Sequence, residues 1–260
     1  MVICMRIGEG AKCETRNGGW LHILRERDYR PAPRIRRVAV AAAPMPALAE
    51  RVHWWQQCLT IDRRETYAAA LGVDPAALGA YAVGWAQEYK AFAHPMRDHT
   101  GRITGVRLRA PDGRKWSVRG GHEGVFLPHY FLPSFVLPLS DAWYITEGAT
   151  DVLAAYSIGL DCLGRPSCSG GVQTLTRMVR QGNPGRVVIV ADGDAPGIAG
   201  ATKLAHVLMF FCRDVRIIMP SNGRKDLRDW IQAGATACDI HAAAEAALVK
   251  KYTVISRYCK

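Results

Sequence analysis

The second half of the chain alternates two hydrophobic patterns. Short apolar runs rich in β-branched residues, AWYIT from Ala142 and RVVIVA from Arg186, are each followed by a longer segment with helical spacing. These segments are ATDVLAAYSIG, ending at Gly159, and APGIAGATKLAHVLMFFC from Ala195. LDCLGRPS and DVRIIMP predict further strands, and VQTLTRMVRQG and DLRDWIQAG predict further helices. Strands alternating with helices imply an α/β fold, a mostly parallel sheet flanked by helices on both faces. Ligands of such sheets collect beyond the carboxyl ends of the strands.

Upstream the period changes. Residues 90–130 carry short alternating runs separated by turns, and Asp112-Gly113 is a hairpin signal. The alternation in ITGVRLRA puts Arg107 and Arg109 on one face of a strand. Arg102, Arg114, Lys115 and Arg119 add positive charge nearby. Cations clustered on a small sheet suit a phosphate backbone. Before them, HWWQQCLTIDRRETYAAALG predicts one helix ending at Gly72. Asp74-Pro75, an N-cap followed by an N1 proline, predicts the start of another. Trp54, Trp55, Tyr67, Tyr81 and Trp85 read as core residues ahead of base-stacking platforms. Residues 1–52 have little periodicity and include RERDYRPAPRIRR, a basic arm that is either a solvated tail or a nucleic-acid contact. The expected organisation is a basic arm over 1–52, a small α+β basic subdomain over 53–140, the parallel-sheet domain over 141–240, and a C-terminal helix or tail over 241–260.

Charge sharpens this picture. The 260 residues carry a formal net charge of +11. Residues 1–140 hold 20 Lys and Arg against 12 Asp and Glu, and residues 141–260 hold 14 against 11. The basic excess therefore sits upstream of the parallel sheet, which points to a polyanionic partner, with a generally Arg-rich composition as the alternative. The eight cysteines form no C-x-x-C pair, so no zinc ribbon is read and bound zinc is not expected. Cys4 and Cys13 are at most its remnant, and the thiols read as the reduced cysteines of a cytosolic, cytoplasmic protein. VAVAAAPMPALA is too short and too proline-broken to cross a membrane, and no signal peptide is read. No G-x-x-x-x-G-K-[ST] run marks a nucleotide-driven helicase.

The chemistry lies in carboxylates at strand ends. Asp192 and Asp194, two apart on an extended segment, point the same way past Gly193. Like charges brought together are costly unless a cation lies between them, and Mg²⁺ or Mn²⁺ would use both. Alternatively, Asp194 caps the following helix. Glu147-Gly148 ends the first strand, with Asp151 one turn later. If the two strands are neighbours, Glu147, Asp192 and Asp194 form one acidic pocket; otherwise Glu147 is a first-turn acid stabilised by the helix dipole. Asp226 and Asp229, in KDLRDW, either help hold a second metal or form an ordinary cap.

WYITEGATDVLAAYSIG followed by VVIVADGDAPGIAGATKLA resembles the Toprim domain shared by topoisomerases, bacterial-type primases and some nucleases. Glu147, Gly148 and Asp151 match its first motif, and Asp192, Gly193, Asp194 and Gly197 match its second, in the form typical of replicative primases. GRITGVRLRAPDGRKWSVRGGHEGVFLP looks like the basic subdomain that precedes Toprim in primases, with Arg102, Arg109 and Lys115 at matching positions. There, Phe126 is followed by Leu127, Pro128 and His129, where the family often has a second lysine. The resemblance implies a primase of a phage, plasmid or other mobile element that makes RNA primers. Two metals held by Glu147, Asp192 and Asp194 would activate a 3′-hydroxyl and neutralise a nucleoside triphosphate. Arg102, Arg107, Arg109, Lys115 and Arg119 would hold a single-stranded DNA template. GWLHIL, after Cys13, looks like the tail of a zinc-ribbon region. A replicative helicase or zinc-ribbon module would then be a separate partner. The alternatives are a small Toprim nuclease, which would not need the basic subdomain, and a degenerate primase that only binds DNA; a topoisomerase lacks room here for its gate.

Overall fold

A computed structural model of the chain describes residues 2–4, 6–15, 19–23, 47–129 and 142–251. The chain divides into two units, Met1–Met45 and Pro46–Lys260. In the first, β1 (Val2–Cys4), β2 (Cys13–Glu14) and β3 (Trp20–His22) form an antiparallel sheet in the order β1-β3-β2. The arginine-rich run RERDYRPAPRIRR lies outside the described residues.

The second unit opens with α1 (Leu48–Gln57), which begins inside the stretch expected as an arm, and α2 (Ile61–Leu71). The sequence predicts one helix here, and the structure corrects it to two. Thr60 is extended (φ −64°, ψ 159°), and its hydroxyl accepts from the Arg63 backbone N–H at 3.3 Å. A threonine oxygen satisfies an otherwise orphaned N–H at a helix start, which it cannot do mid-helix. Asp74 caps α3 (Pro75–Ala80) as predicted, accepting from the Ala76 N–H at 2.7 Å.

Four antiparallel strands follow: β4 (Gly84–Ala86), β5 (Ala91–Arg97), β6 (Ile103–Arg109) and β7 (Lys115–Ser117), paired in that order. Their period-2 alternation gives two unlike faces. Val106, Leu108, Ala91 and Ala93 pack with Val52 and Trp55 of α1. On the other face Trp85 pairs with Phe92, Phe92 with Arg109, His94 with Arg107, and Arg109 with Lys115. Trp55, Tyr67 and Tyr81 are core residues, whereas Trp54 is 48% exposed and Trp85 is half-buried.

The parallel sheet comprises β8 (Ala142–Glu147), β9 (Cys162–Arg165), β10 (Arg186–Val190) and β11 (Asp214–Ile218), in the order β11-β10-β8-β9. Helices α4 (Ala149–Ser157), α5 (Val172–Gly182), α6 (Ala195–Leu208), α7 (Leu227–Gln232) and α8 (Ala237–Ala246) cover it. Tyr144, Val188 and Val190 face one core with Val152 of α4 and Trp230 of α7. Trp143, Ile145, Val187 and Ile189 face the other, with Leu175 of α5 and Leu204 of α6. Burial on both faces is why these strands read as unbroken apolar runs. The segment around Phe126 joins the two sheets. Val125 exchanges backbone hydrogen bonds with Arg97, and Phe126 with Gly164 of β9. That bridge brings the polar face of the antiparallel sheet to the carboxyl ends of the parallel strands.

Candidate active site

β8 and β10 are neighbours, with Ile145 opposite Ile189 in parallel register. Glu147, the last residue of β8, and Asp192, two residues past β10, therefore meet at one end of the sheet despite their distance in sequence. The chain turns away sharply after each. Gly148 adopts φ +96°, which a side chain would strain. Gly197, in the first turn of α6, sits where a Cβ would come within 2.7 Å of the Asp192 Cβ. The Gly193 N–H donates to the Lys225 carbonyl at 2.7 Å, which brings the segment before α7 against the Asp192 loop.

The electrostatics of this corner are strained toward needing a cation. Burial and the neighbouring charges of Glu147, Asp226 and Asp194 push the Asp192 carboxyl up to about 7. Its Oδ1 is buried without a hydrogen-bond partner. Burial also raises Glu147, opposed mainly by Arg165, its partner in the register of β8 and β9. Asp151, buried in α4, is raised well above the usual carboxylate range by burial and by Asp226 and Asp192. It receives only long hydrogen bonds from Thr146 (3.4 Å) and Thr150 (3.5 Å).

The opposite wall is positive. Arg107, Arg109 and Lys115 line the same cavity as Glu147, Asp151, Asp192 and Asp226, a space of about 520 Å³. Arg107 donates to the Pro166 carbonyl at 3.1 Å. Burial and the positive charges of Arg109 and Lys115 drive His94 down to about 3, so this buried imidazole is neutral; it is bonded to the Tyr67 hydroxyl at 2.9 Å. Arg165 is buried, with its guanidinium donating to the Gly170 and Cys168 carbonyls.

Several residues singled out from sequence lie elsewhere. Asp194 is exposed and caps α6, accepting from the Gly197 N–H at 2.7 Å, and it does not line the cavity. Asp226 both lines the cavity and caps α7, through the Asp229 N–H at 2.8 Å. Asp229 instead accepts from the Lys225 N–H and pairs with Arg224 at 3.7 Å, away from the cavity wall. Arg102 and Arg119 are exposed in the turns flanking the sheet and do not reach the cavity. His94, Arg165, Lys225 and Arg228 were not singled out, although Arg165, beside Glu147 in register, is charged and buried, and the other three line the cavity. Lys225 and Arg228 flank Asp226 in KDLRDW, the one signal that marked them. Arg165 and His94 gave none, because only strand pairing brings them here.

Among the described residues, no group of three or more His, Cys, Asp or Glu side chains is gathered into a ready-made metal cage. The donor chemistry nonetheless suits a hard divalent cation. It is all carboxylate oxygen, and the unpartnered Asp192 Oδ1, beside three other acids, needs a positive neighbour.

Residues 144–231 match the family model described as Toprim-like, and this part of the chain is a Toprim-like domain. The wider fold is that of primase catalytic cores. The DnaG catalytic core is 16% identical with a TM-score of 0.63, the match covering 77% of this chain and 79% of that one. The DnaG primase catalytic domain bound to single-stranded DNA is 16% identical, with a TM-score of 0.62 over 77% of each chain. The primase fragment of the bacteriophage T7 primase-helicase protein is 15% identical, with a TM-score of 0.50 over 67% of this chain and 71% of that one. No curated protein sequence matches the chain. Among the described residues no helix is long and apolar enough to cross a membrane.

Proposed function

We propose that the chain is a primase-type nucleotidyltransferase that builds short RNA primers on single-stranded DNA with Mg²⁺ or Mn²⁺, in partnership with a replicative helicase of a phage, plasmid or other mobile element. The observation that carries this reading is a single cavity in which Glu147, Asp192 and Asp226 meet Arg107, Arg109 and Lys115 of the antiparallel sheet. The DnaG domain of similar fold bound to single-stranded DNA supports it, as does the T7 primase-helicase fragment.

Glu147, Asp192 and Asp226, which line the cavity, are the residues that would hold the metal, while Asp194 caps α6. A divalent cation held there would lower the proton affinity of a 3′-hydroxyl and offset the charge of an incoming triphosphate. The protein's own part is placement. Arg107, Arg109 and Lys115 bind phosphate oxygens from the facing sheet and set the register of the strand. Arg165 favours the ionised form of Glu147. Neutral His94, on the same sheet face as Arg107, holds the Tyr67 hydroxyl without adding charge.

The test is a primer-synthesis assay on single-stranded DNA with labelled nucleoside triphosphates and Mg²⁺ or Mn²⁺, run beside Asp192→Asn. Short metal-dependent products, lost in the variant, are expected. Metal-dependent shortening of the template would instead establish a nuclease, and DNA binding with neither reaction would leave a binding module.

A further inference from the structure

A second cavity, of about 300 Å³, adjoins the first behind Arg109, which lines both. That volume lies at the lower end of the ~300–1,000 Å³ usual for small-ligand pockets. One wall is the α2 face bearing Arg63, Tyr67 and Ala70, residues at helical spacing. The other is the antiparallel sheet, where register places Trp85, Phe92, Arg109 and Lys115 in one row across four strands. The row thus runs from an aromatic cavity into the candidate active site.

The aromatic arrangement is specific. Phe92 stacks flat on Tyr67, with centroids 3.5 Å apart and planes within 3°. Trp85 stands edge-on to Phe92 at 5.0 Å. The Arg63 guanidinium lies 4.4 Å from the centre of the Trp85 ring. Tyr67 and Phe92 are buried and make the floor, whereas Trp85 is half-buried. No acid lines this cavity, and both of its charged residues are arginines. An aromatic slot whose charged lining residues are both arginines is complementary to a flat base carried on a phosphate backbone.

We propose that this cavity is a nucleobase subsite: it takes one unpaired base of a single-stranded nucleic acid, stacked against Trp85 and Arg63, while the adjoining phosphates lie along Arg109 and Lys115. The proposal rests on the reading of the neighbouring cavity as a polymerising site, but its test does not depend on catalysis. The affinity of the full chain for a labelled oligodeoxythymidylate is measured in chelator, as a function of salt. Trp85→Ala is expected to weaken binding roughly tenfold, the scale of one lost base stack, with the salt slope unchanged. Trp85→Phe, which keeps a stacking ring and guards against a simple folding defect, is expected to stay close to wild type. An oligonucleotide of abasic sugar-phosphate should bind Trp85→Ala and wild type alike. Wild-type affinity in Trp85→Ala, an equal loss on the abasic backbone, or failure of Trp85→Phe to restore binding would each overturn the subsite. Primer synthesis with Trp-independent binding would remove the subsite and keep the polymerase; Trp-dependent binding with no synthesis would do the reverse.

Discussion

The two sheets of the second unit meet at one cavity and supply it by opposite means. The parallel sheet works from its ends. Glu147 and Asp192 sit where β8 and β10 stop, and their convergence follows from strand order alone. The antiparallel sheet works from its face. Arg107, Arg109 and Lys115 project from one side of β6 and β7 while Val106 and Leu108 anchor the other. A strand end gives few groups, held close and desolvated, which suits chemistry on one bond. A sheet face gives a spaced row of charges, which suits a polymer.

If this division holds, variants at the strand ends and on the sheet face should separate catalysis from binding. The largest effect is expected at the strand ends: Asp192→Asn or Glu147→Gln should lower primer synthesis by about 10²–10³-fold, the range for losing a group that stabilises transition-state charge. Single-stranded DNA affinity, measured by anisotropy, should hold within about twofold. On the sheet face, Arg109→Ala or Lys115→Ala should weaken DNA binding about tenfold and reduce the salt slope by about one. Equal loss of binding from both groups would erase the distinction.

A smaller effect separates the walls by pH. The Asp192 carboxyl titrates at about 7 in the folded chain against 3.8 ordinarily, so the folded state holds the proton more tightly than the unfolded state. The resulting stability is full below the ordinary value and is lost as pH rises toward about 7. In chelator, Tm should therefore fall over this window more steeply for wild type than for Asp192→Asn. Adding Mg²⁺ near neutral pH should raise Tm in wild type and not in the variant, since a ligand of the folded state stabilises it. The smallest effect is structural. Asp194→Ala removes the α6 cap and should cost ~1 kcal/mol in denaturant unfolding, whereas Asp194→Asn should recover most of it.

Much of this arrangement is legible in the primary structure, because it is local. The β-α alternation, the Asp74-Pro75 helix start and the shared face of Arg107 and Arg109 all depend on neighbours a few residues away, and the structure carries them. The break at Thr60 was missed because hydrophobic spacing continues across it, while the cap depends on a single oxygen. From spacing, Asp194 and Asp229 each read both as a ligand and as part of a helix cap. Their backbone partners could be assigned only once the first turns of α6 and the loop before α7 were placed.

The sequence alone determined which residues have the chemistry: carboxylates after apolar runs, and cations at alternating positions upstream. Periodicity encodes which side of an element a residue faces, and residue type encodes what it can bind. Only the tertiary structure decided which of them share a cavity. The pairing of β8 with β10 brings Glu147 to Asp192, the Phe126 bridge turns the cationic face toward them, and Arg165 and His94 enter through strand register. The row from Trp85 to Lys115 exists only across four paired strands. Hydrogen-bonded register joins residues far apart in the chain, and no local pattern records that distance.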